Sequence, residues 1–493
     1  MKRGVDEVEE FYYALAKLYE GSSRMFFLIT GHLSVQVDVH NSESREQVHA
    51  RLDEALRKAW LTLRFHQPTI ASRVVRDAET GKLTKVYRTL RDDSEQKTWL
   101  ENTLIPVSTK LTGNEWANTD PPAPKLPTLF VINASPSSDN DGPVRRDLVL
   151  RSPHDIIDGI GTLQLLDRLV DYVSKAFDEG NYYRVPTLNG SETSRLSPPF
   201  RVAADVPFTL NETQKKKLAS IAAQKEAAAK IDGNLLVLGL PFWHGAVLPG
   251  KHQRVGLSLS KEHTFRLLAA CKSVGITVTH AFHAAIAMVL RDVQDRNVKA
   301  PRVRYVSYIL RNERARCKLP YNTPDYAASV YHSVSGGALI VDMDFPGPSQ
   351  ESTRKDEFLQ IVQTVRDYYE EARNDQEHCA LAPFIWQDSI PRIPATGTVP
   401  PVPPPKQHPS VSISSMGCVD YIIKPDRGRI RVYDPWVTGE ELGNGLGLFL
   451  GTYRGELCLS SAYNDAWQSH DGAMDFLKRC MAAVSVGLGV FDV

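Results

Sequence analysis

The chain has 493 residues, of which 42% are apolar and 24% are charged, a length and composition typical of about two or three globular domains. Lys plus Arg and Asp plus Glu each number 58, and this balance argues against a nucleic-acid partner, which usually requires a basic excess. The acidic N-terminus and the lack of any run of about 20 uncharged apolar residues predict neither a signal peptide nor a membrane span.

The first half of the chain alternates predicted helices and strands. Apolar side chains at helical spacing predict helices over 47–63 and 161–177, and two apolar runs predict buried strands over 126–133 and 147–151. A polar, proline-interrupted stretch then leads into a Lys-, Ala- and Gln-rich helix over 209–230.

The second half repeats this alternation. Its predicted strands cover 253–259, 304–310, 337–343 and 429–432, and its predicted helices cover 261–273, 279–293 and 355–374. The stretch 391–409 contains eight prolines, which lack the backbone donor that helices and central strands require, so we expect a long loop there.

Helices and strands mixed in this way predict an α/β fold. We divide it into an N-terminal domain over 1–205, a crossover over 206–250 and a C-terminal domain over 251–493. The six cysteines all lie in the second half, and none forms a Cys-x-x-Cys pair. A secreted disulfide framework would be denser and better paired, so we expect reduced thiols and a cytoplasmic location.

The residues with the clearest chemical role follow the strand predicted over 147–151. There Pro153 interrupts the ladder, and His154 opens the run His154-Asp155-Ile156-Ile157-Asp158-Gly159. An imidazole with a reference pKa of about 6.5 can be neutral near pH 7 and still accept a proton. Asp158-Gly159 predicts a turn, and Gly161 predicts a close backbone approach before the next helix. Spacing alone does not decide whether Asp158 touches the imidazole.

The pattern His154-x-x-x-Asp158-Gly159 resembles the active-site signature of the superfamily of chloramphenicol acetyltransferase, nonribosomal peptide condensation domains and plant-type alcohol acyltransferases. The longer run from His154 to Leu166 is most similar to the fungal trichothecene 15-O-acetyltransferase group. Further similarities to that group lie at 63–68, 275–285, 310–314, 412–417 and 446–464.

Two departures concern particular subgroups of the superfamily. Pro153 stands where condensation domains usually have a second histidine. Asp434-Pro435-Trp436 does not match the Asp-Phe-Gly-Trp-Gly of plant-type enzymes. Both departures argue against those two subgroups and leave the superfamily resemblance intact.

The resemblance implies two chloramphenicol-acetyltransferase-like domains, with mixed sheets, flanking helices and an active-site tunnel between the domains. In that family, His154 would be the general base, and Asp158, beside Gly159, would pair structurally with an arginine of the second domain. Arg311 is the best match for this arginine, and Arg314 is the alternative. Ser414 or Ser415 would donate to the developing oxyanion.

The implied reaction moves an acyl group, acetyl in the most similar group, from acyl-CoA to a hydroxyl of a small fungal secondary metabolite. Acyl-CoA would be a co-substrate, and the resemblance implies no bound cofactor, no metal and a monomer. The coenzyme A phosphates need cations, for which 251–254 and 311–318 are the candidate segments, although a solvated charged face is the commoner role for each.

Other interpretations stay open. A condensation-domain-like enzyme would use a carrier-bound thioester with an amine or alcohol acceptor, and a degenerate member would bind a partner without chemistry. The segment 333–337 only approximates the Gly-x-Ser-x-Gly of serine hydrolases. His280 and His283 lack the spacing and the glutamate of zinc proteases, and their apolar neighbours indicate core packing.

Overall fold

The structure is a computed structural model that describes residues 1–40, 42–134, 142–230, 235–295, 300–394 and 397–490. Its strands are β1 (Lys2–Gly4), β2 (Ile29–Val37), β3 (Ser72–Arg76), β4 (Leu83–Tyr87), β5 (Leu104–Thr109), β6 (Thr128–Ala134), β7 (Val144–Ser152), β8 (Leu235–Val237), β9 (His252–Ser258), β10 (Arg302–Ser307), β11 (Leu310–Asn312), β12 (His332–Val334), β13 (Leu339–Asp344), β14 (Val411–Cys418), β15 (Asp426–Arg427), β16 (Ile430–Gly439), β17 (Leu446–Tyr453) and β18 (Glu456–Asn464). Its helices are α1 (Glu7–Leu18), α2 (Arg45–His66), α3 (Asp93–Thr103), α4 (Gly113–Ala117), α5 (Gly159–Glu179), α6 (Phe200–Ala203), α7 (Glu212–Ala229), α8 (Lys261–Ser273), α9 (Val278–Asp292), α10 (Glu351–Asn374), α11 (His378–Gln387) and α12 (His470–Leu488).

Two large mixed sheets, each covered by helices, organise the molecule. The first runs in the order β15-β16-β2-β7-β6-β5, and α2 and α5 pack together over it in one hydrophobic core. The second runs in the order β14-β17-β18-β9, and it shares a core with α9, α10, α12 and the small sheet β13-β10-β8. This architecture confirms the predicted α/β fold with two domains of mixed sheets and flanking helices.

The helices begin where the sequence supplies caps. The Ser44 hydroxyl accepts the Gln47 N–H at 3.2 Å, and the Gln47 side chain accepts the Ser44 N–H at 2.8 Å, which starts α2. Asn211 and Gln214 form the same reciprocal box at the start of α7. The predicted bounds of α8 are reproduced, whereas the helix predicted over 47–63 continues for a further turn.

The first sheet takes strands from both ends of the chain. Strand β16 pairs antiparallel with the whole length of β2, with a register shift between Tyr433 and Trp436. The sequence predicted only a short strand over 429–432 and placed it in the C-terminal segment. The N-terminal sheet is therefore completed by residues 426–439, and the domain division by sequence order stays a prediction.

The proline-rich stretch is a loop, as predicted. Its described residues contain no helix or strand between Gln387 and Val411. The loop is nevertheless held at several points: Arg76 donates to the Pro394 carbonyl at 2.7 Å, and the Asn444 amide donates to the Lys406 carbonyl at 2.7 Å.

No single helix in the described part of the chain is both long and apolar enough to cross a membrane. Helices α8 and α9 meet that requirement only as a pair, and they are bent by 91° at the break between them.

Candidate active site

His154 lies between the end of β7 and the start of α5, with its side chain partly exposed. The Tyr12 ring of α1 stacks on the imidazole, with 3.6 Å between ring centroids and 9° between planes. Nδ1 is buried against the backbone of the loop. The edge that carries Nε2 is therefore the accessible one, and Tyr12 fixes the plane in which it points.

The surroundings keep the imidazole neutral. Burial and the neighbouring His332 lower the pKa of His154 to about 3, and the opposing attraction of Asp158 is weaker. At pH 7 the ring therefore carries one proton and one free lone pair, which is the form that a general base requires.

Sequence reasoning missed the aromatic cluster around His154. The His332 ring of β12 lies 5.4 Å from the His154 ring, and the Tyr12 hydroxyl is 3.0 Å from His332 Nε2. Trp386 of α11 packs edge-on against His332 at 5.5 Å. The cluster joins α1, β12 and α11, which are remote in the sequence, and no motif marks its members.

Asp158 does not contact the imidazole through a hydrogen bond but organises the loop behind it. It caps α5 by accepting the Gly161 N–H at 2.8 Å, and it also accepts the Tyr331 N–H at 2.9 Å. Its partner arginine is Arg314, whose Nη1 is 2.8 Å from Asp158 Oδ2 with both side chains buried. Burial would raise the pKa of Asp158, but Arg314, His332 and the Gly161 N–H together outweigh it and hold that pKa below its usual value.

The prediction that Arg311 is this partner is wrong. Arg311 lies on β11 and pairs instead with Glu313, with 3.0 Å between Nε and Oε1, and it also donates to the Ala372 carbonyl. Arg314 reaches Asp158 because the chain turns into a short 3-10 helix after Glu313, which points the two arginines in different directions.

The two glycines of the motif have different roles. Gly159 is the first residue of α5 rather than part of a turn, so that expectation is wrong. A Cβ there would lie 3.6 Å from Met416 Cε, which is ordinary contact. A Cβ on Gly161 would lie 2.2 Å from the Ala327 carbonyl oxygen and 2.7 Å from Arg314 Nη2. The predicted close approach at Gly161 is therefore present, inside the helix.

Ser414 and Ser415 lie on β14, next to Met416, the residue that contacts the start of α5. The Ser415 hydroxyl accepts a hydrogen bond from Thr279 Oγ1 at 2.9 Å. The structure thus brings this strand next to the start of α5, close to the loop that carries His154. The oxyanion role of the two serines stays a prediction.

A cluster of buried charged side chains holds the loop that carries His154, residues 153–158. Lys85 donates to the Asp155 carbonyl, and its Nζ is 2.5 Å from Glu9 Oε1. Arg3 lies 2.7 Å from the same carboxylate oxygen. Although burial would raise the pKa of Glu9, Lys85 and Arg3 together hold it at about 2.

A cavity of about 270 Å³ lies between the two large sheets, beside the first turns of α5. Its walls include Leu163 of α5, Met416 of β14, Trp436 of β16 and Phe449 of β17. Leu163 follows Gly159 by about one helical turn, so both lie on the same face of α5. The cavity therefore lies along this face of α5, and its wall residue Met416 lies next to Gly159, the first residue of the helix.

The described residues contain no group of three or more His, Cys, Asp or Glu side chains that could hold a metal ion. His283 lies in the core between the hydroxyls of Tyr369 and Tyr305, at 3.1 Å from each.

No family model matches the chain. Acetyltransferase pigO of Monascus ruber is 24% identical over 471 residues, covering 93% of this chain and 91% of the relative. O-acetyltransferase pigM of the same fungus is 25% identical over 443 residues, covering 88% of this chain and 76% of the relative.

Among solved structures, the trichothecene 15-O-acetyltransferase TRI3 from Fusarium sporotrichioides has a TM-score of 0.76 at 16% identity, covering 99% of this chain and 95% of that chain. The first condensation domain of the calcium-dependent antibiotic synthetase has a TM-score of 0.62 at 15% identity, covering 100% of this chain and 97% of that chain.

The chain therefore has the fold of acyltransferases and condensation domains, as the His154 motif predicted. It is an acyltransferase, similar over nearly its full length to acetyltransferases of Monascus ruber.

Proposed function

We propose that the protein is an O-acyltransferase that moves an acetyl group from acetyl-CoA to a hydroxyl of a small secondary metabolite, with His154 as the general base. The observation that carries this proposal is the neutral imidazole of His154, which stacks on Tyr12 and is partly exposed.

The reaction follows from this geometry. Nε2 of His154 takes the proton of the acceptor hydroxyl while the oxygen attacks the thioester carbonyl. The resulting tetrahedral intermediate collapses, the thiolate leaves, and the imidazolium returns its proton to the sulfur. The products are an ester and free coenzyme A, and general base catalysis of this kind contributes about 100- to 10,000-fold.

The Tyr12 ring also assists the charged stage of this reaction. The imidazolium formed during attack lies parallel to the aromatic face of Tyr12, whose quadrupole attracts a cation. Asp158 attracts the same positive charge without touching the ring. Both interactions are stronger in the transition state than in the ground state, which is the condition for catalysis.

The donor is proposed to be a coenzyme A thioester rather than a carrier-bound one. Pro153 replaces the additional histidine of condensation domains, and the similar curated proteins are acetyltransferases. In the candidate cation segment 311–318, three of the four cations already have carboxylate partners: Arg311 pairs with Glu313, Arg314 with Asp158, and Lys318 with Asp205. The exposed Arg316 donates to the neutral Gln376 side chain, and Lys251 of the segment 251–254 is also exposed, so these two cations are the candidates for the phosphates. We also propose a monomer, because one chain supplies both sheets that flank the cavity.

The test is product analysis by mass spectrometry, with the purified protein, acetyl-CoA and a panel of hydroxylated fungal metabolites. Acetylation of a hydroxyl supports the proposal. The donor is then varied with one acceptor, by comparing acetyl-CoA, acetyl-pantetheine and an acetylated carrier protein. A carrier that reacts much faster than acetyl-CoA would favour the condensation-domain-like alternative, and binding without turnover of any donor would favour a degenerate member.

A further inference from the structure

The walls of the cavity have an unusual composition. Four aromatic side chains line it, Tyr433, Trp436, Phe449 and Tyr453, together with Met416. Aromatic faces and a thioether favour a flat, polarisable ligand, because such surfaces stack over large areas.

One cation in this cavity has no carboxylate partner among the described residues. The Arg254 guanidinium lies over the Trp436 ring at 4.3 Å, and its Nη2 faces the weak acceptor Cys458 Sγ at 3.9 Å. Its Nε is buried without a hydrogen-bond partner. A guanidinium without an anionic partner leaves donors unsatisfied, which costs free energy, so Arg254 is suited to hold an acceptor oxygen of a ligand.

The Trp436 ring, on which the Arg254 guanidinium lies, is held in a fixed position by its neighbours. The register shift in β16 places Asp434 at a φ of 47°, a strained conformation for a residue with a side chain. Trp436 is fixed by its indole N–H, which donates to Asn114 Oδ1 at 2.5 Å, and by His32, whose ring stacks on it at 5.2 Å. The guanidinium is therefore held in place before any ligand arrives.

The other charged groups of the cavity decide which substrate fits. Arg454 is already paired with Asp426 at 2.9 Å, and Asp434 accepts from Asn114 at 2.6 Å. With Glu456, the lining contains two guanidinium groups and two carboxylates, so it has no positive excess. The several phosphate charges of coenzyme A require such an excess, whereas one anionic oxygen group requires only Arg254.

We propose that this cavity is the acceptor subsite, and that it takes a planar, conjugated acceptor whose carboxylate or enolate oxygen is held by Arg254. The inference rests on the proposed function and specifies its acceptor class. The aromatic walls select the flat ring system, and Arg254 selects the anionic group. The acceptor hydroxyl then points along the face of α5 towards His154.

Direct binding tests this inference apart from catalysis. Calorimetric titrations use 2-naphthoate, its uncharged methyl ester and the saturated analogue decalin-2-carboxylate. We expect 2-naphthoate to bind at least about tenfold more tightly than either analogue, equivalent to about 1.4 kcal/mol for each missing feature. Equal affinity for the acid and its ester would overturn the assignment of Arg254 to an anion.

The matched variants are Arg254→Met and Arg454→Met, since both guanidinium groups line the cavity but only Arg454 is paired. Arg254→Met should weaken 2-naphthoate binding at least tenfold, and Arg254→Lys should restore part of it. Arg454→Met, checked by thermal melting, should change the affinity less than threefold. Similar losses in both arginine variants would overturn the proposal.

Competition with the donor distinguishes the two substrates. If acetyl-CoA displaces 2-naphthoate and Arg254→Met raises the KM for acetyl-CoA alone, the guanidinium binds a donor phosphate and the proposal fails. If no acyl transfer is found with any acceptor while 2-naphthoate binds in an Arg254-dependent way, the proposed function fails and the ligand class stands.

Discussion

At the scale of single residues, His154 is the proposed general base, and its neighbours fix its plane and its protonation state. Replacing His154 with Ala should reduce turnover by at least about 100-fold, the lower bound for a lost general base. The melting temperature should fall only slightly, because the imidazole makes no ion pair and its removal costs chiefly the stack on Tyr12. Steady-state kinetics on the purified, folded variant provides the measurement, and near-normal turnover would refute the mechanism.

In the proposed mechanism Tyr12 is a positioning residue, because its ring fixes the plane of the His154 imidazole. Tyr12→Leu removes the stacked ring, an interaction of about 0.5–1.5 kcal/mol, and should reduce kcat up to about tenfold with little change in KM. Tyr12→Phe preserves the stack but removes the hydroxyl that faces His332. It should retain most of kcat and lose some stability. Parallel losses of kcat in the two variants would argue against the role of the stack.

The pairing of Asp158 with Arg314 can be measured by a double-mutant cycle. Removing either side chain leaves the other charge buried, at a cost of about 3–5 kcal/mol. Asp158→Ala and Arg314→Ala should therefore be strongly coupled, by about 0.5–3 kcal/mol in urea unfolding. Asp158→Ala and Arg311→Ala should be nearly additive, because Arg311 pairs with Glu313. Coupling through Arg311 instead would contradict the assigned ion pair.

At the scale of elements, the two glycines at the start of α5 differ in the space around them: Gly161 is closely packed, and Gly159 has room for a side chain. Gly161→Ala places a Cβ 2.2 Å from the Ala327 carbonyl, so backbone must shift and unfolding stability should fall by about 1–3 kcal/mol. Gly159→Ala is the matched control, since its Cβ makes only ordinary contact and Ala favours a helix. Chemical denaturation measures the free energy of unfolding of both variants. Equal losses would contradict the assignment of the close contact to Gly161 alone.

Sequence periodicity was sufficient for the long helices and buried strands, because each buries one continuous apolar face. The His-x-x-x-Asp-Gly motif located His154 and Asp158, because both residues belong to one local stretch of sequence. It could not identify Arg314 with certainty, because this residue lies 156 positions from Asp158 and competes with Arg311 three positions earlier. Tyr12 and His332 were missed for the same reason: only tertiary contact brings them to the imidazole.

At the scale of the whole molecule, the buried histidines determine how the protein responds to acid. Burial lowers the pKa of His154, His283 and His378 to about 3 and that of His252 and His332 to about 4. Between pH 6.5 and about 4 the unfolded chain therefore binds protons that the folded chain does not, and stability falls as pH falls.

Three buried acids oppose this trend. Burial raises the pKa of Asp6 and Glu441 to about 7 and also raises the pKa of Asp155, so each favours the folded state on acidification. Five histidines outnumber them, and the urea midpoint should decrease steadily from pH 7 to pH 4. A midpoint that is constant or rises over this range would show that these imidazoles are not held neutral.

Because residues 426–439 supply two strands of the first sheet, this sheet stays incomplete until they have been synthesised. While a ribosome extends the chain, β2 keeps an unpaired edge until β16 has emerged, and exposed edges invite pairing with other chains. Helix α5, which begins beside His154, also packs on β16. The surroundings of the loop that carries His154 therefore cannot be completed while the N-terminal half is the only part released. They would be completed only after residue 439 has emerged, and residues 1–205 expressed alone would expose the strand edge that β16 covers in the full fold.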